Sequence, residues 1–148
     1  MARYSSYASI AAAANKPFSY VNSDGSAYPE IYAIDGGFEG TPADEHYVLG
    51  LYENTDAGSG GTSVTPQKIG HGATASCTVK RGTFSADPTL TGNVQVVIAC
   101  YRRAARAILR AIGNGFSPQT LASARGLSLW TLAAGGSGTM HWTMAWQE

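Results

Sequence analysis

The stretch LSLWTLAAGGSGTMHWTMAWQE, residues 127–148, decides the fold of this chain. Its second half alternates, so that Met140, Trp142, Met144 and Trp146 fall on one side of an extended chain. Its first half is another apolar run, and the sequence GGSG between the two halves is typical of a turn. The stretch therefore predicts two antiparallel strands whose large side chains enter a core.

Short apolar runs separated by turn residues continue outward from this stretch toward residue 30. Further strands are predicted over 30–38, 46–53, 62–69, 73–81 and 93–101, the last being the most apolar and therefore expected in the core. The composition agrees, because 18 glycines and only 14% charged residues fit many strands joined by turns. We predict an all-β chain: a single-domain β-sandwich or jelly roll of about eight short antiparallel strands.

Residues 1–28 show little period and are rich in Ser, Ala and Tyr. They are predicted to form an N-terminal extended arm ahead of a β-sandwich domain spanning 29–148. An aromatic arm, here with Tyr4, Tyr7, Phe18, Tyr20 and Tyr28, can pack on a neighbouring molecule. Its candidate partner-binding residues are Tyr4, Tyr7, Phe18 and Tyr20. A signal peptide is not expected here, and no run of about 18 apolar residues predicts a membrane span.

The segment RRAARAILRAI, residues 102–112, fits two structures. Its apolar residues have helical spacing and its Ala, Leu and Arg favour helix, although the segment can also be read as a strand with Ala105, Ala107 and Leu109 on one face. In either case Arg102, Arg106 and Arg110 share one face, which makes them candidate partner-binding residues. Such a stripe can meet phosphates, but the chain is neutral overall, so an exposed face or ion pairs are favoured over nucleic acid.

Charge is divided unevenly along the chain. Residues 1–60 carry eight acidic and two basic side chains, and residues 61–148 carry two acidic and eight basic ones. Two explanations remain open at this point. The halves pack against each other within one molecule, or acidic and basic faces of neighbouring subunits meet.

No residue set predicts chemistry. In the glycine-rich stretch 53–69, Thr62 and Ser63 follow the glycines without a preceding lysine, and Pro66 disfavours a helix, so a phosphate-binding loop is not expected. The three histidines lie in separate segments without the spacing of a metal motif, and no GxSxG elbow is present. Cys77 and Cys100 are expected to be buried free thiols. The sequence therefore predicts no enzyme, no cofactor and no metal.

Several stretches resemble a group of small structural proteins of tailed bacteriophages. They are LGLYENTDAGSGGTSVTPQKI, ATASCTVKRGTFSADPTLTG, YRRAARAILRAIGNGFSP and GLSLWTLAAGGSGTMHWTMAWQE, and the resemblance covers residues 30–148. These are signatures of turns and strands. Related chains form a strand at the Arg-Ala run with aromatic and β-branched residues, where this chain has Ala and Leu.

The resemblance implies a role in the virion. It implies a β-sandwich or jelly-roll cement protein, often trimeric, that decorates the capsid surface and bridges neighbouring major capsid proteins. Such a protein is made in the host cytoplasm and binds itself and the major capsid protein, without nucleic acid or membrane. A tail, collar or head-fibre subunit is the alternative within the virion. A carbohydrate-binding jelly-roll module is the alternative outside it.

Overall fold

The computed structural model describes residues 1–11, 16–39, 46–101, 107–110, 115–117, 125–134 and 139–148. Eleven strands lie in these residues. They are β1 (Arg3–Ala11), β2 (Lys16–Asn22), β3 (Glu30–Glu39), β4 (His46–Asn54), β5 (Ser59–Val64), β6 (Gln67–Lys68), β7 (Thr78–Ala86), β8 (Leu90–Tyr101), β9 (Ala107–Arg110), β10 (Gly126–Ala134) and β11 (Thr139–Gln147).

The strands form two antiparallel sheets with jelly-roll topology. One sheet has five strands in the order β6-β1-β11-β3-β9, and the other has six in the order β5-β7-β2-β10-β4-β8. Counted from the β9 end of one sheet and the β8 end of the other, strands at the same position are consecutive in the chain: β9 with β8, β3 with β4, β11 with β10, and β1 with β2. This succession across two sheets is the wiring of an eight-stranded jelly roll, so the predicted fold class is confirmed.

Strands β5, β6 and β7 are an insertion between the fourth and fifth strands of that jelly roll. β7 pairs with β2 and with β5, while the two-residue β6 pairs with β1 in the opposite sheet. The insertion therefore widens both sheets on the same side. The predicted strands 62–69 and 73–81 fall in this insertion, the first as β5 and β6. β1 and β2, in the segment predicted as an arm, are the other strands beyond the predicted eight.

β11 supplies the largest side chains of the core. Met140, Trp142, Met144 and Trp146 are all buried, as the alternation predicts. Across the sandwich, β4 contributes its own buried alternating residues, which include Leu49 and Leu51. The prediction for β11 is confirmed, and the alternating buried residues of β11 and β4 fix which faces of the sheets meet.

The structure does not show the predicted N-terminal arm of residues 1–28, because most of this segment forms strands inside the two sheets. β1 lies between β6 and β11, and β2 lies between β7 and β10. Two of the inward residues of β1 are small, and the register places Ala8 beside Trp142 and Ser6 beside Met144, while the inward Tyr4 lies beside Trp146. Small side chains leave the space that the large ones of β11 fill, so a sequence poor in apolar period still forms an interior strand.

The position of β8 also differs from the prediction. Its apolar sequence predicts a core strand, but the structure places it at the edge of the six-stranded sheet. Val96 and Ile98 pack against the core, whereas Val94 and Val97 are exposed. Of the ambiguous segment 102–112, residues 107–110 form a strand, and the remainder, with Arg102 and Arg106, lies outside the described residues.

Candidate functional site

Three polar side chains form a hydrogen-bonded row across the outer face of the five-stranded sheet. Tyr7 on β1 shares a hydrogen bond with Nδ1 of His141 on β11. On the other side of the ring, His141 Nε2 lies 2.8 Å from Oε2 of Glu39 at the end of β3. A carboxylate only accepts, so Nε2 carries the proton and donates to Glu39, while Nδ1 accepts from the tyrosine hydroxyl.

Strand alternation and register produce this row from residues far apart in sequence. Tyr4, Ser6 and Ala8 of β1 face the core, so Tyr7 faces outward. On β11, His141 lies opposite Ser9 of β1 and opposite Gly37 of β3. These small neighbours leave its ring free to reach diagonally to Tyr7 on one side and to Glu39 on the other.

Arg81 of β7 fixes Tyr7 from a third direction. Its Nη1 donates to the backbone oxygen of Tyr7 at 2.6 Å, and its guanidinium carbon lies 5.7 Å from the centre of the tyrosine ring. The second distance is that of a cation–π contact. Tyr7 nevertheless keeps 45% of its surface exposed. The ring is therefore both presented to solvent and held in place.

Tyr7, His141 and Glu39 stand in the order of a nucleophile, a base and an orienting carboxylate. Their position on the molecule nevertheless favours a binding role over a catalytic one. The row lies on an open sheet face, and the Glu39 side chain is 75% exposed. Transition-state stabilisation by fixed dipoles is strongest in a site that excludes water. Tyrosine and arginine on a solvated face are instead the residues enriched in protein interfaces. We therefore interpret Tyr7, His141, Glu39 and Arg81 as a binding surface, called the Tyr7 face below.

Two of the predicted partner-binding tyrosines belong to the core. Tyr4 is buried against Trp146, with ring centres 5.8 Å apart, and its hydroxyl donates to the Ala73 carbonyl at 3.0 Å. Tyr20 is buried against Phe84, and this burial, followed by the charge of Asp56, raises its pKa to about 12. Both rings therefore pack inside the sandwich and not on its surface.

The remaining predicted residues are spread over the molecule. Arg110 is exposed at the end of β9, in the same sheet as Tyr7 but on its far edge. Phe18 lies in β2, and its side chain is not among the described ones. Tyr28, an aromatic residue of the predicted arm, is exposed in the loop between β2 and β3. Among the predicted partner-binding residues whose side chains are described, only Tyr7 belongs to the binding surface formed with His141, Glu39 and Arg81.

The glycine-rich stretch forms a strand that lies tightly against β7. Gly58, Gly60 and Gly61 all have positive φ, and a Cβ at Gly61 would lie 2.9 Å from the Phe84 ring. The glycines therefore allow the backbone of β5 to approach side chains of β7. The close packing of β5 on β7 explains the glycines without a bound phosphate. The stretch also lacks the lysine of a phosphate-binding loop.

A cleft of about 460 Å³ opens beside this insertion, between β5 and the start of β7. Val64, Pro66 and Val79 form its apolar lining, and Lys80 also lines the cleft. The buried Cys77 also lines the cleft, and burial raises the pKa of its thiol, which keeps it protonated. A protonated thiol is a poor nucleophile, so Cys77 is structural here.

Ion pairs bear on the uneven charge distribution. Lys16 Nζ lies 2.9 Å from Asp87, and Arg125 lies 3.8 Å from the buried Glu53. The Arg125–Glu53 pair joins a base of the basic half to an acid of the acidic half, whereas Lys16 and Asp87 are minority charges of their halves. Packing of the halves within one molecule thus accounts for part of the asymmetry.

Within the described residues, no group of three or more His, Cys, Asp or Glu side chains is arranged to hold a metal ion. No helix in that part of the chain is long and apolar enough to cross a membrane. Comparison with protein-family models, curated proteins and solved structures finds no match to this chain.

Proposed function

We propose that this chain is a structural protein of a tailed-phage virion, made in the host cytoplasm and without enzymatic activity. On this proposal it decorates the outer surface of the capsid and stabilises the shell by bridging neighbouring major capsid proteins. The resemblance of residues 30–148 to small phage structural proteins supports the proposal. The jelly-roll fold supports it too, because two hydrogen-bonded sheets form a rigid body that can span neighbouring subunits.

The observation that carries the proposal is the combination of exposure and fixation at Tyr7. Nearly half of the ring is exposed, while its hydroxyl is bonded to His141 and its backbone oxygen to Arg81. Anchors of protein interfaces are commonly Tyr, Trp or Arg in well-ordered surroundings. An anchor that is already ordered loses little conformational entropy on binding, which favours affinity. The Tyr7 face is therefore the proposed contact with the major capsid protein.

Self-association into three copies completes this proposal. A trimer presents three Tyr7 faces, and a second and third contact then form at high effective concentration. Weak individual contacts can in this way hold the protein on the shell. A neutral chain also adds little long-range repulsion between copies on a crowded surface.

A sedimentation experiment with expanded empty capsids tests the proposal. We expect the wild-type protein to co-sediment at a saturable ratio. Tyr7→Ala should weaken binding by about 30-fold, which corresponds to the loss of one interface anchor. Tyr28→Ala is the matched control, since it removes another exposed tyrosine from a loop outside the Tyr7 face, and it should bind like wild type.

Two results would contradict the proposal. Wild-type protein that stays in the supernatant has no affinity for the capsid. Equal binding by Tyr7→Ala and wild type would remove Tyr7 from the contact. Repeating the assay with purified tails separates the alternative of a tail, collar or head-fibre subunit, because such a subunit binds tails and leaves capsids free.

A carbohydrate-binding module remains the second candidate, and one observation favours it. The rings of Tyr7 and His141 lie within 20° of parallel, with the Glu39 carboxylate beside them. An aromatic surface with adjacent polar groups can hold a sugar ring. Binding to a glycan array that Tyr7→Ala abolishes, with no binding to capsids, would favour this candidate over the virion role.

A further inference from the structure

The hydrogen bonds inside the Tyr7 face use every side-chain donor of the row that Tyr7, His141 and Glu39 form. The Tyr7 hydroxyl donates to His141 Nδ1, and His141 Nε2 donates to Oε2 of Glu39. In this tautomer the imidazole is neutral and has no second N–H, and a carboxylate has no proton to donate. The row therefore offers a ligand hydrogen-bond acceptors only.

Two of these acceptors stay available to a ligand. The Tyr7 oxygen donates its proton inward and keeps its lone pairs, and Glu39 uses Oε2 for the bond from His141, so Oε1 has no donor among the described residues. Both groups are accessible, because Tyr7 is 45% exposed and the Glu39 side chain 75%. A ligand that fills this site must donate hydrogen bonds at both positions, so a carboxylate, which only accepts, does not fit.

The charge at the Glu39 end of the row is negative. Among the described residues, no lysine or arginine forms an ion pair with Glu39, and its neighbour His141 is neutral in this tautomer. Arg81, the cation of the Tyr7 face, reaches Tyr7 from the other sheet and bonds to its backbone oxygen, whereas Glu39 lies two strands away on β3. The exposed carboxylate therefore selects a cationic ligand.

The two rings between these groups favour a planar cation. The Tyr7 and His141 rings lie within 20° of parallel, with centres 5.9 Å apart. The cross-strand neighbours of His141 are the small residues Ser9 and Gly37, and its side chain is 33% exposed, so the imidazole is accessible from solvent. A guanidinium is planar, stacks on aromatic rings and carries donors on either side of its central carbon, whereas an ammonium group presents one nitrogen.

We propose that the Tyr7 face binds an arginine side chain of its partner. The guanidinium lies over the His141 ring and donates to Oη of Tyr7 on one side and to Oε1 of Glu39 on the other. The inference rests on the proposed function for the source of this arginine, which is then the major capsid protein. It deepens that function, because it names the chemical group that the capsid must present to the Tyr7 face.

Titration with small ligands, followed by NMR of the Tyr7 and His141 ring protons, tests the inference without capsids. We expect N-acetyl-arginine amide to give saturable shifts with a dissociation constant in the millimolar range. N-acetyl-citrulline amide has nearly the same shape without the charge and should give no saturable shift. N-acetyl-lysine amide should bind about 5-fold more weakly, which corresponds to one hydrogen bond fewer.

Glu39→Gln tests the carboxylate within this site. Its amide oxygen can still accept from His141, but its NH2 group then faces the ligand, so a donor replaces the acceptor and the saturable shifts should be lost. Asp24→Asn is the matched control, because it removes a carboxylate charge from the exposed turn after β2 and should leave arginine binding unchanged. In capsid sedimentation, Glu39→Gln should bind about 30-fold more weakly than Asp24→Asn.

Four results would overturn the inference. They are no saturable shift with the arginine ligand, equal binding of the arginine and citrulline ligands, equal binding of the arginine and lysine ligands, and arginine binding that Glu39→Gln leaves unchanged. Capsid sedimentation is a separate readout. Arginine binding by a protein that ignores capsids would keep the guanidinium site and remove the capsid role, whereas capsid binding without an arginine response would do the reverse.

Discussion

The side-chain carboxylate of Glu148 accepts a hydrogen bond from the backbone of Cys77, which lies 71 positions earlier in the chain. Its Oε1 accepts from the Cys77 N–H at 3.1 Å, and its Oε2 accepts from the Ser76 N–H at 2.7 Å. Oε1 also accepts from the indole nitrogen of Trp146 at 3.0 Å. One carboxylate therefore ties the end of β11 to the segment that leads into β7.

Removing this carboxylate should expose Cys77. Glu148→Ala leaves the donors of Ser76, Cys77 and Trp146 without their acceptor, which costs about 1–3 kcal/mol of local stability. Cys77 should then be alkylated about 5- to 150-fold faster, as judged by mass spectrometry of the Cys77 peptide. Glu39→Ala, which removes an exposed carboxylate on the other sheet face, should leave the rate unchanged. Equal rates in both variants would show that Glu148 does not hold this segment.

The positive φ of Gly61 and its contact with Phe84 can be separated by experiment. Alanine at φ +68 or +89 is strained by about 1–2 kcal/mol, and this applies to Gly61 and Gly82 alike. At Gly61 the added Cβ also meets the Phe84 ring, whereas at Gly82 it meets open space. In urea unfolding, Gly61→Ala should therefore lose about 1–3 kcal/mol more than Gly82→Ala. Equal losses would mean that β5 moves away from β7 without cost.

The strands with large alternating side chains could be predicted from the sequence, whereas β1 could not. β11 and β4 carry Trp, Met, Tyr and Leu at every second position. β1 turns Ser6 and Ala8 toward the core, where Met144 and Trp142 provide the volume. That complementarity exists only once the register is known. For β8 the prediction failed in the opposite way. Its apolar run predicted a core strand, but such a run fits an exposed sheet edge as well as a core.

The Tyr7 face shows the same limit for the candidate site. Alternation alone predicts that His141 faces away from the buried Met140 and Trp142. What it does not give is the diagonal reach from His141 to Tyr7, 134 positions away, or to Glu39, 102 positions away. Contacts between strands so distant in sequence depend on sheet order. Tyr7 was among the predicted residues, although it was assigned to an arm.

Lowering the pH should reduce the folding stability of the protein through protonation of Asp56. Hydrogen bonds from Thr89 and then Gly58 lower its pKa below the ordinary value of 3.8. A lowered folded-state pKa contributes stability that is present above 3.8 and is lost as pH falls through the folded value. Asp56→Asn should be less stable than wild type at neutral pH, and the difference should shrink in acid. Urea unfolding at a series of pH values measures this, and a constant difference would contradict it.

Asn54 holds a buried polar cluster at one end of the six-stranded sheet. Its amide nitrogen donates to Asn22 Oδ1 at 2.9 Å and to the Asp56 carbonyl at 2.7 Å, and its oxygen accepts from Ser128. Asn54→Ala leaves these groups buried with fewer partners, which should cost about 1–3 kcal/mol in unfolding free energy. Ser26→Ala, at an exposed turn, should stay within about 0.5 kcal/mol of wild type. A neutral Asn54→Ala would show that the cluster adds nothing to stability.

Electron cryomicroscopy of expanded empty capsids saturated with this protein tests the virion role most directly. The proposed function predicts added density on the outer shell into which the jelly roll fits, with the Tyr7 face against the major capsid protein. Density in which Tyr7 points to solvent would contradict the assigned surface. A shell identical to that of capsids without the protein would contradict the capsid role itself.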